Sequence, residues 1–531
     1  MMNPITIIYL TVLLLSSGLT FDILVIISMP IFSHNTAFRQ LFRELALRGH
    51  NVTVMNNFPE KNTPRTLKFV TLGFELNHLW PSLDNFENLD SRYLQLQNTF
   101  YRHFYLASSK TRLDCENLFQ SEEAKAHLSE ENKYDVIFVE QFMSDCGLAY
   151  ALTFFESPII GITSHTLLPS AYSRLGLPFD VAADATYFSN SGPNPSLLQK
   201  LETFVLKAFF TSFGRWYIHR SIYEVFDRFV PNNTLDIERD VKLRMKMMFS
   251  YQHYSVTGAR VLAPQFLEIG GIHVGLPKNV SKEIEEFLSD AEHGAIYVSF
   301  GSNLKASTMS EKKRQHFLTA FRRIPQKVIW KYEDAPFKDK KILTASWFSQ
   351  LDILCHPKVL AFVSHGGMLS LSESAHCGKP ILTVPFFGDQ FSNSAAVRSV
   401  GLGKTLYFDK IDADNLEEAI KDLTSDEMQQ NAQRVSRLWH DRPQPVMDSA
   451  IYWTEYVARH KTSPPSLPAK HNTWFESTLI DVYIVLLVIL AGVFLLVRAI
   501  LRVLLLVISF VVSLCSKSVV VEKKKKKGKR D

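Results

Sequence analysis

Between Trp347 and Gln390 the chain reads WFSQLDILCHPKVLAFVSHGGMLSLSESAHCGKPILTVPFFGDQ, a stretch dense in side chains suited to holding a polar ligand. Ser364-His365-Gly366-Gly367 sets an imidazole beside two residues without side chains, small enough for a backbone to approach a ligand closely. Ser370 to His376 has helical character and meets a stop at Gly378 and Pro380. A helix that begins just after such a turn aims free N–H groups and its positive dipole end at whatever sits there, and a diphosphate is the natural occupant. Trp347 offers a flat indole to a base, and Gln350 an amide to a ribose edge. Glu373, about one helical turn after Ser370, is placed to accept from ribose hydroxyls. Asp389-Gln390, after the loop Pro385-Phe386-Phe387-Gly388, suits sugar hydroxyls.

These groups need a scaffold. Val359 to Val363 is a short apolar run of strand length, so the centre of the stretch reads strand, loop, helix. Ala295 to Phe300 (AIYVSF) opens the same unit and ends at Gly301-Ser302, small residues that suit a nucleotide edge; Lys327 to Trp330 supplies a further strand. Near the start, Asp22 to Ser28 (DILVIIS) reads as a buried parallel strand. Phe38, Leu41, Phe42, Leu45 and Ala46 then form the apolar face of a helix, and after Gly49 the run Val52 to Met55 begins another strand. His34 lies between strand and helix, where open α/β sheets bind ligands. Tyr134 to Val139 (YDVIFV) is another strand, and Glu140 follows it, with Asp145 a nearby alternative carboxylate.

The series from Trp347 to Gln390 resembles the donor-binding signature of the family-one UDP-glycosyltransferases, of the UDP-glucuronosyltransferase-like, membrane-anchored animal type. It departs from the usual pattern at Ser349, where the family has Pro, and at Leu369, where many members carry Asn or Gly. The resemblance implies an α/β fold of two Rossmann-like domains facing across a cleft (GT-B type), with a C-terminal transmembrane helix. It implies transfer of glucuronosyl or glucosyl from UDP-glucuronate or UDP-glucose to a hydroxyl of a small lipophilic acceptor, with inversion, no metal and no cofactor beyond the UDP-sugar co-substrate. His34 matches the family's catalytic base, and Glu140 stands where the family generally places an orienting Asp. Ser302, Trp347, Gln350, His365, Gly367, Ser370, Glu373, Asp389 and Gln390 are the expected donor contacts. Asp412-Ala413-Asp414 mimics a metal-binding DxD, but Asp414 with Glu417 fits a helix cap better. A UDP-sugar-binding pseudoenzyme is the alternative, resting on Leu369 and Glu140. A nicotinamide oxidoreductase lacks its GxGxxG.

The 531 residues, 46% hydrophobic and 21% charged, imply two globular domains with extra segments. From Lys517 onward there are eight basic and two acidic residues, whereas the rest holds 50 basic and 51 acidic, so a nucleic-acid partner is unsupported. The expected order is a signal peptide (1–20), an acceptor-binding Rossmann-like domain (21–260), a linker (261–290), a UDP-sugar-binding Rossmann-like domain (291–462), a juxtamembrane linker (463–481), a transmembrane segment (482–515) and a basic cytosolic tail (516–531). The irregular, aromatic-rich stretches 67–133 and 164–260 form the acceptor side by this resemblance; Phe204, Phe209, Phe210, Phe213 and Trp216 fit that site, a membrane contact or plain core. The lysine run places the tail in the cytosol and the body in the lumen, a single-pass type I protein touching membrane lipid. Lys527-Gly528-Lys529-Arg530-Asp531 resembles a retrieval tail of endoplasmic-reticulum membrane proteins. Asn232 and Asn279 are the better of three glycosylation sequons. Among five cysteines, Cys515 falls in the apolar tract, no zinc spacing appears, and the others allow a lumenal pair. A homo-oligomer is compatible with all of this.

Overall fold

The computed structural model describes residues 19–527 except 75–81, 91–102, 183, 185–188, 193–194, 335–338 and 463–466. Ile23–Ile26, Val136–Val139 and Ile159–Ile162 are apolar and buried at every position, as burial on both faces of a parallel sheet requires. β1 (Asp22–Ile26), β2 (Asn51–Asn56), β3 (Leu67–Thr71), β4 (Val136–Glu140), β5 (Ile159–Thr163), β6 (Met245–Ser250) and β7 (Phe266–Glu268) pair in parallel in the order β3-β2-β1-β4-β5-β6-β7. Helix α1 (Phe32–Leu47) follows β1 and buries Phe38, Leu41, Phe42, Leu45 and Ala46, the face its spacing predicts. The other helices used below in this half are α2 (His103–Gln120), α3 (Cys146–Phe154), α4 (Pro169–Leu175), α5 (Leu197–Thr211) and α6 (Phe213–Phe229).

The second sheet comprises β8 (Ala295–Ser299), β9 (Lys327–Lys331), β10 (Ile342–Ala345), β11 (Val359–Ser364), β12 (Ile381–Thr383) and β13 (Gly403–Thr405), again parallel, in the order β10-β9-β8-β11-β12-β13. Its ligand-side helices are α7 (Gln350–Leu354), α8 (Met368–His376) and α9 (Gln390–Val400). In each sheet the chain order reverses once, between β1 and β4 and between β8 and β11. Such switch points open a crevice at the strands' carboxyl ends. His34 and Glu140 follow and close β1 and β4; Gly301-Ser302 and His365 follow β8 and β11.

Segments of each half pack on the other. Phe86 packs against Phe386 of the second half, and the Glu87 carboxylate accepts from the Ser310 N–H at 2.6 Å. Helix α10 (Val446–Arg459) returns to the first sheet, burying Ala450, Ile451, Val457 and Ala458 in the cluster of Val25, Phe38 and Phe138. Residues up to Lys470 form one compact unit, and His471–Asp531 form another.

That second unit contains α11 (Ile480–Lys527), whose 35-residue apolar part Ile480–Leu514 includes an 18-residue window of mean hydropathy 3.0. This length exceeds the ~20 residues a spanning helix needs, so it fits a membrane anchor. The helix starts two residues earlier than its apolar run suggests and continues through the lysines, which are good helix formers. The leader through residue 18 and the tail from 528 lie outside the described residues.

Several expectations change. The stretches read as irregular hold β3, β6 and helices α2 and α4 to α6. β6 (MKMMFS) has no β-branched residue, and β7 has only three positions, too few for a period to show. The connection read over 261–290 carries β7 and a helix, Lys282–Ser289, capped where the Ser281 hydroxyl accepts from the Ile284 N–H. Asp412, rather than Asp414 with Glu417, caps the helix Ala413–Leu423 reciprocally with Asn415, while Asp414 and Glu417 pair with Arg323. Among the described residues there are two disulfides, Cys115–Cys146 and Cys355–Cys377.

Candidate active site

His34 occupies the first turn of α1, and its Nδ1 lies 2.6 Å from the Glu140 carboxylate at the end of β4. With that carboxylate accepting from Nδ1–H, the lone pair resides on Nε2, the arrangement of a general base. The ring packs edge-on against Phe142, with centroids 4.5 Å apart. Asp145, the other carboxylate considered, faces elsewhere: it pairs with Arg174 at 2.6 Å, Arg215 at 2.5 Å and His219 at 2.9 Å. Asp145, His219 and Glu238 lie close enough to suggest a metal site. However, the two guanidiniums already supply the cations among these acids.

A buried carboxyl sits behind this pair. The Ser28 hydroxyl donates to Asp114 at 3.0 Å, and burial, aided by the Glu140 charge and opposed by hydrogen bonds from Ser144 and Ser28, pushes Asp114 up to about 7. In the unfolded chain this carboxyl ionises near pH 4, so the fold must retain a proton that the open chain releases. Its contribution is therefore unpenalised below about pH 4, declines as pH rises to about 7, and is flat above. Asp114→Asn is expected to raise the melting temperature at pH 8 and leave it unchanged at pH 4; equal shifts at both values would contradict the protonated carboxyl.

In the second half the imidazole of His365 is held between two glycines. A Cβ at Gly301 would fall 2.6 Å from its Cε1, and one at Gly367 2.5 Å from its Nε2. Gly301 also has φ +81°, a conformation L side chains rarely adopt. Burial, with the Lys331 charge adding to it, pushes His365 down to about 4, so the ring is neutral at pH 7. Gly367 is the N-cap of α8 with no side-chain cap, and Ser370 is buried on its first turn. The Gln350 amide donates to Ser370 Oγ at 3.1 Å and also to the Glu373 carboxylate.

Trp347 is 62% exposed and meets Phe32 of the first half edge-on at 6.3 Å. The Gln390 carbonyl oxygen accepts from the Phe386 and Phe387 N–H groups (2.7 and 3.1 Å), closing the loop while the residue lines the cleft. Asp389 accepts from the Asn393 amide at 2.8 Å and is pushed by burial up to about 6. Leu369, at the position that departs from the family pattern, packs against apolar core and lines the cleft.

One cleft of about 680 Å³ gathers His34, Ser302, Trp347, Gln350, His365, Gly367, Ser370, Glu373, Asp389 and Gln390, with Glu140 behind His34. It also contains groups that sequence patterns did not reveal. His273 Nε2 lies 3.3 Å from Glu373, and Tyr251 hydrogen-bonds its Nδ1, so the connection between the halves holds the carboxylate from behind. The signal available was Gly270-Gly271, whose φ of +88° at Gly271 turns the chain two residues before His273. Losing one hydrogen bond to a charged group costs about 1.5 kcal/mol, near tenfold in affinity. His273→Ala is therefore expected to raise the UDP-sugar KM about tenfold with kcat little changed, and His273→Gln to restore part of it. Steady-state kinetics over donor concentration decides, and an unchanged KM would contradict the contact's importance.

Two parallel sheets joined across such a cleft define a GT-B glycosyltransferase fold. The calicheamicin glycosyltransferase CalG4 superposes with a TM-score of 0.52 at 16% identity, covering 83% of this chain and 99% of that one. A UDP-glucosyltransferase from Polygonum tinctorium gives 0.53 at 15% identity, covering 84% and 100%. In sequence the chain is 29% identical to UDP-glycosyltransferase UGT5 of Dactylopius coccus (91% of this chain, 92% of that one). It is 30% identical to UDP-glucosyltransferase 2 of the same organism (90% and 91%) and 26% to UDP-glucuronosyltransferase 1A6 of Homo sapiens (85% of each). The family model for UDP-glucoronosyl and UDP-glucosyl transferases matches residues 22–517, and the chain belongs to that family. It is a UDP-sugar hexosyltransferase.

Proposed function

We propose that this enzyme transfers glucosyl or glucuronosyl from a UDP-sugar to a hydroxyl of a small lipophilic acceptor, inverting the anomeric carbon without a metal, with His34 as base. The carrying observation is the 2.6 Å His34–Glu140 pair on one wall of a cleft whose other wall is the uncapped start of α8 beside neutral His365. The acceptor O–H proton passes to His34 Nε2, the oxygen bonds the anomeric carbon, and the bond to the diphosphate breaks with UDP leaving. The α8 dipole and His365 receive the negative charge on UDP. Glu140 holds the base in its tautomer, which supports catalysis over the non-catalytic alternative.

Trp347 takes the base, Glu373 and Gln350 the ribose, Ser302 and Ser370 the phosphates, and Asp389 and Gln390 the sugar. Ionised Asp389 accepts sugar hydroxyls, so donor affinity weakens as pH falls through about 6. Ile31, Phe32, Phe142, Met143, Met368 and Leu369 make the wall near His34 apolar, which supports a lipophilic acceptor. Two disulfides and exposed Asn232 and Asn279 support a body in the endoplasmic-reticulum lumen, anchored by α11. Incubating the full chain in membranes with UDP-glucose and UDP-glucuronate side by side against a phenol panel tests the reading. Turnover with either donor to a β-linked product supports it; no transfer from either overturns it.

A further inference from the structure

Helix α5 (Leu197–Thr211) has two unlike sides. Inward, Leu206 is buried with Met29, Ile31 and Phe142, and Phe210 packs beside them; Ile31 and Phe142 also line the cleft. Outward, Leu197 is 81% exposed, Leu198 76%, Leu201 58%, Phe204 58% and Val205 46%. At 100° per residue these five positions fall within an arc of about 120°, so they form one continuous stripe. Phe213 and Trp216 at the start of α6 are also more than half exposed, with rings stacked 5.7 Å apart. Arg220 lies over the Trp216 ring at 5.8 Å. Isolated apolar side chains on a surface need no explanation, but a contiguous patch marks a contact.

The composition of the patch bears on what covers it. The stripe offers no donor or acceptor along its five positions, unlike most protein interfaces, which carry about one hydrogen bond per 100–200 Å². A tryptophan and an arginine stand at its margin, where a headgroup region holds them. The chain also carries its own candidate anchor, Ile480–Leu514, which provides a bilayer for the body to meet. We propose that the outward face of α5, with Phe213 and Trp216 of α6, lies in the headgroup–acyl boundary of a lipid bilayer. It is an in-plane contact, separate from the spanning helix, and is independent of which sugar is transferred.

The test uses the full chain in phosphatidylcholine nanodiscs. Cys515 is replaced by Ser, and one cysteine, at Leu201 or Phe204, carries an environment-sensitive fluorophore. A control label at Lys282, an exposed residue elsewhere on the body, reports water. Doxyl-labelled lipid is expected to quench the labels at 201 and 204 at least about twofold, as a depth of about 5–10 Å implies, and to leave 282 unaffected. Labels at 201 and 204 that aqueous iodide quenches as strongly as 282 overturn the proposal. Labels shielded from both quenchers also overturn it, since the face is then covered by protein, a second copy or another segment of the chain. A UDP-induced thermal shift in each labelled variant verifies folding.

Discussion

His34→Ala is expected to lower single-turnover transfer about a thousandfold, the middle of the 10²–10⁴ range for a general base, while UDP affinity stays within about twofold. The asymmetry follows from placement. His34 belongs to the first sheet's switch point, whereas the proposed diphosphate seat lies at β11 and α8 of the second. Glu140→Gln is expected to act in the same direction, because an amide no longer enforces Nδ1–H and the lone pair on Nε2 is lost from much of the population. Rapid-quench kinetics with calorimetric UDP titration separates the effects. A kcat loss below tenfold would remove His34 from the base role, and a parallel loss of UDP affinity would point to a folding defect.

The opposite signature is expected from Gly367→Ala. The added methyl would stand 2.5 Å from His365 Nε2, and the ring has little room to retreat because it already lies against Gly301 on its other side. Overpacking of this kind costs about 1–3 kcal/mol. Here the distortion falls on the N-terminus of α8, so UDP binding is expected to weaken at least about tenfold. Titration of the variant with UDP measures this, and an affinity unchanged within twofold would show that the loop adapts without harming the seat. Gly301→Ala adds a strained φ to the same contact and is expected to do no better.

The strand, turn and helix proposed to hold the donor were legible because they are contiguous: β11, the His365-Gly366-Gly367 turn and α8 are successive in the chain, and each carries its own local signal. His34 and Glu140 were legible as strand ends, although their hydrogen bond spans 106 positions. What patterns missed depends on tertiary contact alone. Asp114 sits within the 67–133 stretch taken as irregular, and its role depends on Ser28, 86 positions away. His273 was hidden in a segment taken as a linker, and no periodicity marks a residue whose partner is Glu373. Gln390 matched the family motif, yet the structure shows its carbonyl oxygen bracing the preceding loop. The disulfide partners are 31 and 22 positions apart, pairings that composition cannot choose among.

Those two crosslinks bear on how the enzyme must be made. Cys355 and Cys377 strap α7, which carries Gln350, to α8, which carries Ser370 and Glu373, while Cys115 and Cys146 strap α2 to α3 behind Glu140. Closing loops of 22 and 31 residues removes denatured-state freedom worth about 3–4 kcal/mol apiece. Production in a reducing bacterial cytosol forfeits both terms, so soluble yield depends on a host that folds the chain under oxidising conditions.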